Sequence, residues 1–259
     1  MMLSERSRMF FLKKGLLIIM AGLVSFTSIS MVNAASQSDT ITNKSGVEIP
    51  VDKYNALASI YSSNFMNFMT QEQYDIIKDK DLSKVEIVET TDADIPNNGI
   101  STCATEHTTE SKSLRIINNS GYITMSLTWL KVPNIKKYDV MAFRKNSSVN
   151  FGSSYHFRQY YISNNTLETS LTRYGQNFDN GVGATFKVQN GTNHEMELSV
   201  DATGSGRIYG SYQHASHSSA TLENAMDYTL SGSGYGGVIL FNPKIESKFD
   251  AMGGVYLTI

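Results

Sequence analysis

Apolar residues recur along this chain with two different periods, and the change of period divides it. From Asp52 onward, Tyr54, Leu57, Tyr61, Phe65 and Phe68 follow steps of three and four, the single stripe of an amphipathic helix. Asp52 follows Pro50 and is placed to cap its start. Thr70-Gln71-Glu72-Gln73 has the spacing of a capping box and predicts a second short helix to about Lys78, with Tyr74 and Ile77 inward. Val85 to Val88 predicts a short strand. Past Ser113 the period falls to two. Ile123, Met125, Leu127 and Trp129 alternate with Tyr122, Thr124, Ser126 and Thr128, which gives a strand with one buried face. Leu114 to Ile117 pairs with it through the turn Asn118-Asn119-Ser120-Gly121. Further alternating runs lie at Tyr138–Ala142, Ser154–Ile162, Ala184–Val188, Met196–Val200, Arg207–Gln213, Asp227–Leu230, Val238–Phe241 and Val255–Ile259. A helix is expected over Pro243–Met252. Many short strands with Gly- and Asn-rich turns predict a mostly β protein, an antiparallel β-sandwich over 113–259 preceded by a short helical segment at 50–88. The polar stretches 35–49 and 89–112 read as linkers.

The first 34 residues follow neither period. Arg6, Arg8, Lys13 and Lys14 precede the apolar run Gly15–Val24, and Val32-Asn33-Ala34-Ala35 offers a small-residue cleavage site after Ala34. These are the parts of a secretory signal peptide, and the apolar run is short for a bilayer span of ~20 residues. The expectation is a secreted, extracellular protein with no stable membrane span after cleavage. Lys+Arg 22 against Asp+Glu 24 gives a net charge of −2. The leader carries four of the bases and one of the acids, so 18 bases against 23 acids remain, near −5. No nucleic-acid partner is expected without a basic excess. Apolar residues at 41% suffice for a core, and charged residues at 18% fall below the roughly 25% of an average soluble domain. The lone Cys103 excludes an internal disulfide framework.

Leu127-Thr128-Trp129, Pro133 and Tyr138-Asp139-Val140 together resemble the second-to-third strand region of fibronectin type III domains, where a buried Trp, a Pro and a Tyr-x-Val recur. That resemblance spans fewer than twenty residues and implies a sandwich; it implies no activity. More widely, the leader, Tyr61, Met69-Thr70-Gln71-Glu72 and Gly232-Ser233-Gly234-Tyr235-Gly236-Gly237 resemble secreted proteins of Gram-positive bacteria, a likeness that brings no function with it.

Motifs for chemistry are sparse. No Gly-x-Ser-x-Gly, phosphate loop or dinucleotide fingerprint occurs, and no cofactor is implied. His214-Ala215-Ser216-His217 places two imidazoles three apart, a metal pair if the chain turns there and a third ligand joins from His156, His194 or Asp201. Glu195, Glu197 and Asp201 share one face of a strand, the pattern of a solvated surface. Tyrosine is the richer signal, 14 against one Trp. A Tyr ring joins an apolar face to a hydroxyl and suits recognition of sugars or proteins. Tyr160, Tyr209, Tyr212 and Tyr235 are the expected ligand-binding rings. The first functional expectation is therefore a secreted, non-enzymatic β-sandwich that binds a glycan or a protein at the bacterial surface or in its surroundings. A metal-dependent hydrolase built on His214 and His217 is the second. A membrane-active toxin or bacteriocin, using Thr221–Phe241, is the third.

Overall fold

The computed structural model describes residues 39–91, 111–231, 238–250 and 254–259. The leader, Cys103, and Tyr235 with its flanking glycines lie outside these residues. The stretch before the helices, expected to be a linker, contains an antiparallel pair, β1 (Thr40–Thr42) with β2 (Glu48–Pro50). Asn43 ties that hairpin down, its side-chain amide donating to the carbonyls of Met66 and Met69 at 3.1 and 2.8 Å.

The apolar stripe predicted as one helix is two: α1 (Val51–Ala58) and α2 (Ser63–Phe68). The break falls where Ser62 offers its hydroxyl to the Phe65 N–H at 3.1 Å and caps a new start. Asp52 lies in the first turn of α1, and Pro50 holds its N-cap position. The helix α3 (Gln71–Ile77) begins with the predicted capping box, Thr70 and Gln73 each satisfying the other's backbone N–H.

The strands that follow are β3 (Glu86–Thr91), β4 (Lys112–Asn119), β5 (Tyr122–Trp129), β6 (Tyr138–Lys145), β7 (Val149–Ser163), β8 (Thr166–Ser170), β9 (Tyr174–Phe178), β10 (Gly181–Lys187), β11 (Thr192–Gly204) and β12 (Arg207–Ala215). After them come α4 (Leu222–Met226), β13 (Tyr228–Leu230), β14 (Ile239–Phe241), β15 (Phe249–Asp250) and β16 (Val255–Thr258). One sheet has the order β3-β4-β5-β11-β7-β8; the other runs β15-β12-β6-β10-β9, with β16 also on β12. All pairings are antiparallel. The β4–β5 hairpin turns on Ser120 and Gly121, whose φ values of 49° and 91° suit a two-residue turn. A Cβ at Gly121 would lie 2.6 Å from the Ala202 carbonyl oxygen, so the close approach also requires glycine. The helix expected over Pro243–Met252 is replaced by one 3-10 turn, Glu246–Lys248, and by β15. Phe249 leaves that turn to stack on Phe241 at 3.9 Å, a tertiary contact that local pattern does not contain.

The two sheets enclose a core of Ile123, Met125 and Leu127 from one side and Met141, Phe143 and Phe186 from the other, all fully buried. Both outer faces are covered too. The β1–β2 hairpin and α1–α3 pack Ile49, Leu57, Phe65 and Ile77 against Ile117 and Tyr122 of the first sheet. On the second sheet, Val140, Ala142 and Tyr209 meet Ala225 of α4, Tyr228, Ile239 and Phe241. The helical segment is thus one layer of the sandwich. Among the described residues no helix is long and apolar enough to cross a membrane. Thr221–Phe241, the stretch weighed for membrane action, contributes α4, β13 and β14 to the covering layer.

Candidate functional site

Strand β11 alternates as its sequence predicts, with Met196, Leu198 and Val200 in the core. The opposite face, expected in solvent at Glu195, Glu197 and Asp201, is buried at Glu195, Glu197 and Ser199, where α2 and α3 lie over it, and half-buried at Asp201. Asn64 donates to Glu195 at 2.7 Å and Ser126 donates to it at 3.2 Å. The Tyr160 hydroxyl donates to Glu197 at 2.5 Å, with Ser62 at 3.5 Å. Burial first, and the Glu195 charge second, push the Glu197 carboxyl well above the usual carboxylate range. Burial and the neighbouring Glu197 push the Tyr160 hydroxyl up as well.

Beside this pair a cleft of about 130 Å³ opens between α3 and β7, with Glu197, Ser199, Gln73 and Thr70 at its polar wall and His156, Arg158 and Arg173 around it. Its position follows from strand lengths. Strand β8 pairs with β7 only from Gln159 to Ser163, so β7 runs on past the end of its neighbour. Along Tyr155–Arg158 the outer edge of β7 has no strand partner among the described residues. The chain leaving β8 puts Leu171, 56% exposed, and Arg173 at this edge. Arg173 donates to the Tyr155 carbonyl at 3.3 Å and lies 5.0 Å from its ring centre. Arg158 donates to the Phe68 carbonyl. His156 approaches Glu72 at 3.7 Å.

The expected ligand-binding tyrosines are interior. Tyr160 packs near Phe68, Tyr209 lies under the Arg144 guanidinium at 3.9 Å, and Tyr212 is fully buried in the core. None of the three turns a ring face outward: Tyr160 lies against Phe68 of α2, Tyr209 lies under the cover of the second sheet, and Tyr212 lies between the sheets. Tyr235 lies outside the described residues. His214 and His217 lie in different surroundings. His214 is buried and its Nδ1 lies 3.0 Å from both oxygens of the buried Asp139, while His217 sits in an exposed turn after the strand. No group of three metal-ligating side chains occurs among the described residues. His194 is also buried, its Nε2 3.1 Å from the Gly191 carbonyl, and burial holds its imidazole below the ordinary histidine value.

Asp139 anchors a second polar cluster, at one end of the space between the sheets. It accepts from the Tyr212 hydroxyl and, at 2.9 Å, from the Ala215 N–H. The His214 ring meets Trp129 edge-on at 4.7 Å. Lys112, 1% exposed, lies 5.1 Å from the Trp129 ring centre, 6.0 Å from that of Tyr212, and 3.9 Å from the Asp250 carboxylate. The sequence reading missed Lys112, Asp139 and Asp250. Their one available signal was an ionisable residue on the inward phase of an alternating strand, as at Asp139 between Tyr138 and Val140.

The geometry defines a β-sandwich with both outer faces covered, an edge cleft rimmed by cations and an enclosed polar cluster. No protein-family model matches the chain, and no curated protein does. Among solved structures, the collagen-binding subdomain of the Enterococcus faecalis surface protein ACE is similar at TM-score 0.28 and 9% identity, over 37% of this chain and 77% of that one. The KRT10-binding region domain of the pneumococcal serine-rich repeat protein PsrP gives 0.24 and 14%, over 50% and 84%. A structure concerned with Streptococcus parasanguinis adhesion by Fap1 fimbriae gives 0.28 and 13%, over 57% and 78%. Likenesses this slight assign no function, and the reading below rests on this chain's own residues.

Proposed function

We propose that the protein is an exported, non-enzymatic binding module that takes an extended acidic segment of a protein partner at the free edge of β7. The carrying observation is the coincidence of that unpaired edge with a cleft rimmed by Arg158, Arg173 and His156. An exposed strand edge pairs readily with another chain through its main-chain groups. The Arg158 and Arg173 guanidiniums supply charge-assisted hydrogen bonds to a carboxylate. Exposed Leu171 adds an apolar contact at the rim. Size favours a peptide side chain over a glycan: about 130 Å³ is far below the ~300–1,000 Å³ of pockets that enclose whole small ligands. The leader read from residues 1–34 supports export. Selection of a phage-displayed random peptide pool on the purified protein tests this. Acidic, extended peptides should be enriched, and Arg173→Glu should abolish their binding while leaving the fold intact. Enrichment of no peptide, or of peptides indifferent to Arg173→Glu, would sink the reading; so would binding confined to acidic polysaccharides on a glycan panel.

A further inference from the structure

The Lys112–Asp250 pair lies away from the cleft and plays no part in the proposed recognition. Its environment is unusual for an ion pair. Lys112 begins β4 in one sheet and Asp250 ends β15 in the other. Two register pairs bring them together: Lys112 lies opposite Trp129 on β5, Asp250 lies opposite His214 on β12, and the Trp129 and His214 rings touch at 4.7 Å across the gap between sheets. The lysine side chain is 2% exposed and the aspartate side chain 12%. At 3.9 Å the two are at the outer limit of an ion pair.

The same placement is a good one for reactants. The Lys112 amine is enclosed by the Trp129 and Tyr212 rings with the Asp250 carboxyl beside it, the position from which an amine nucleophile attacks. Holding amine and carboxyl side by side replaces a bimolecular encounter with an internal one, an advantage of up to roughly 10⁵–10⁸ M in effective concentration. Exclusion of water from the core opposes the reverse hydrolysis. Condensation also removes both charges, and with them the cost of burying them.

We propose that Lys112 and Asp250 join in an intramolecular isopeptide bond that ties the two sheets together. The Lys112 Nζ attacks the Asp250 Cγ, a Cγ–Nζ bond forms, and one Cγ–Oδ bond breaks. Starting from ammonium and carboxylate, two of the three Nζ protons leave with the departing oxygen as water, and the third stays on the amide nitrogen. No oxidant, reductant or activating group is consumed. His214, its Nδ1 held by Asp139, lies opposite Asp250 in register and edge-on to Trp129. The bond would close a covalent loop around nearly the whole sandwich.

Intact mass spectrometry of the denatured full chain, referenced to the N terminus found by peptide sequencing, tests this directly. The protein should be lighter than its sequence by one water. Proteolysis should release a branched peptide joining the segment around Lys112 to the segment around Asp250. Lys112→Met should restore the full sequence mass; Asp250→Ala gives the same comparison if the first variant does not fold. A wild-type protein at full mass would overturn the proposal and leave an ion pair. A water loss confined to a single peptide, as from a cyclised aspartate, would overturn it equally. Neither result depends on any binding partner, so failure here leaves the proposed recognition standing, and failure there leaves the bond standing.

Discussion

Glu197 has a chemistry set by what covers it. In its strand it is one outward residue among several; under α2 it becomes a buried acid held by Tyr160 and Ser62. Its raised pKa fixes the sign of a pH effect. The folded state holds this proton above the unfolded value of about 4.3, where the unfolded chain has released it. The resulting stability is fully present below about pH 4.3 and is lost as pH rises through the folded value. Glu197→Gln keeps an acceptor for the Tyr160 hydroxyl and removes the titration. Unfolding free energies from denaturant titrations between about pH 5 and about pH 8 should therefore fall in the native protein by up to about 1.4 kcal/mol per pH unit relative to the variant. Parallel profiles for the two proteins would show that Glu197 does not carry the effect. The alternation Glu195-Met196-Glu197-Leu198 was legible as a strand. What lay beyond the outward face was not, because period two gives which residues share a face and says nothing of what covers it.

At the level of elements, the helical layer is fixed to the first sheet by apolar side chains rather than by its own helical stability. Helices of six to eight residues are too short to persist alone in water. Phe65 is fully buried, stacked on Tyr61 at 4.3 Å. Phe65→Ala should cost roughly 3–5 kcal/mol and lower a single cooperative transition, measured by both far-UV and near-UV circular dichroism. Two separate transitions, with only the helical signal shifted, would mean that the layer folds apart from the sheet. The stripe Tyr54-Leu57-Tyr61-Phe65-Phe68 located the buried Leu57, Tyr61 and Phe65, while Tyr54 and Phe68 at its ends are half-buried. It hid the break, because Ser62 as an N-cap and Ser62 as a solvent-facing helical residue give the same polar position. The strands β8 and β9 escaped detection for a different reason. Thr166–Ser170 and Tyr174–Phe178 are edge strands with mostly exposed or half-buried side chains, so no apolar alternation marks them.

Among the described residues, two sets of ionisable groups lie apart: those rimming the cleft at one sheet edge and those of the enclosed cluster between the sheets. His214 is buried against Asp139, and His217 is exposed in the turn that follows. Treatment with a chelator such as EDTA should leave the melting temperature unchanged, and a marked drop restored by zinc would return the metal-dependent reading. The sequence alone determined the sandwich class, the hairpin at Ser120-Gly121, the α3 capping box and the inward residues of most central strands. Each of these is a local matter, decided by turn chemistry or by period within ten residues. Only the tertiary structure decided that both outer faces are covered, that Tyr160, Tyr209 and Tyr212 are buried, and that Lys112 meets Asp250. Those are relations between strands far apart in the chain, where the register of one sheet against the other, and not the spacing of residues, sets which groups meet.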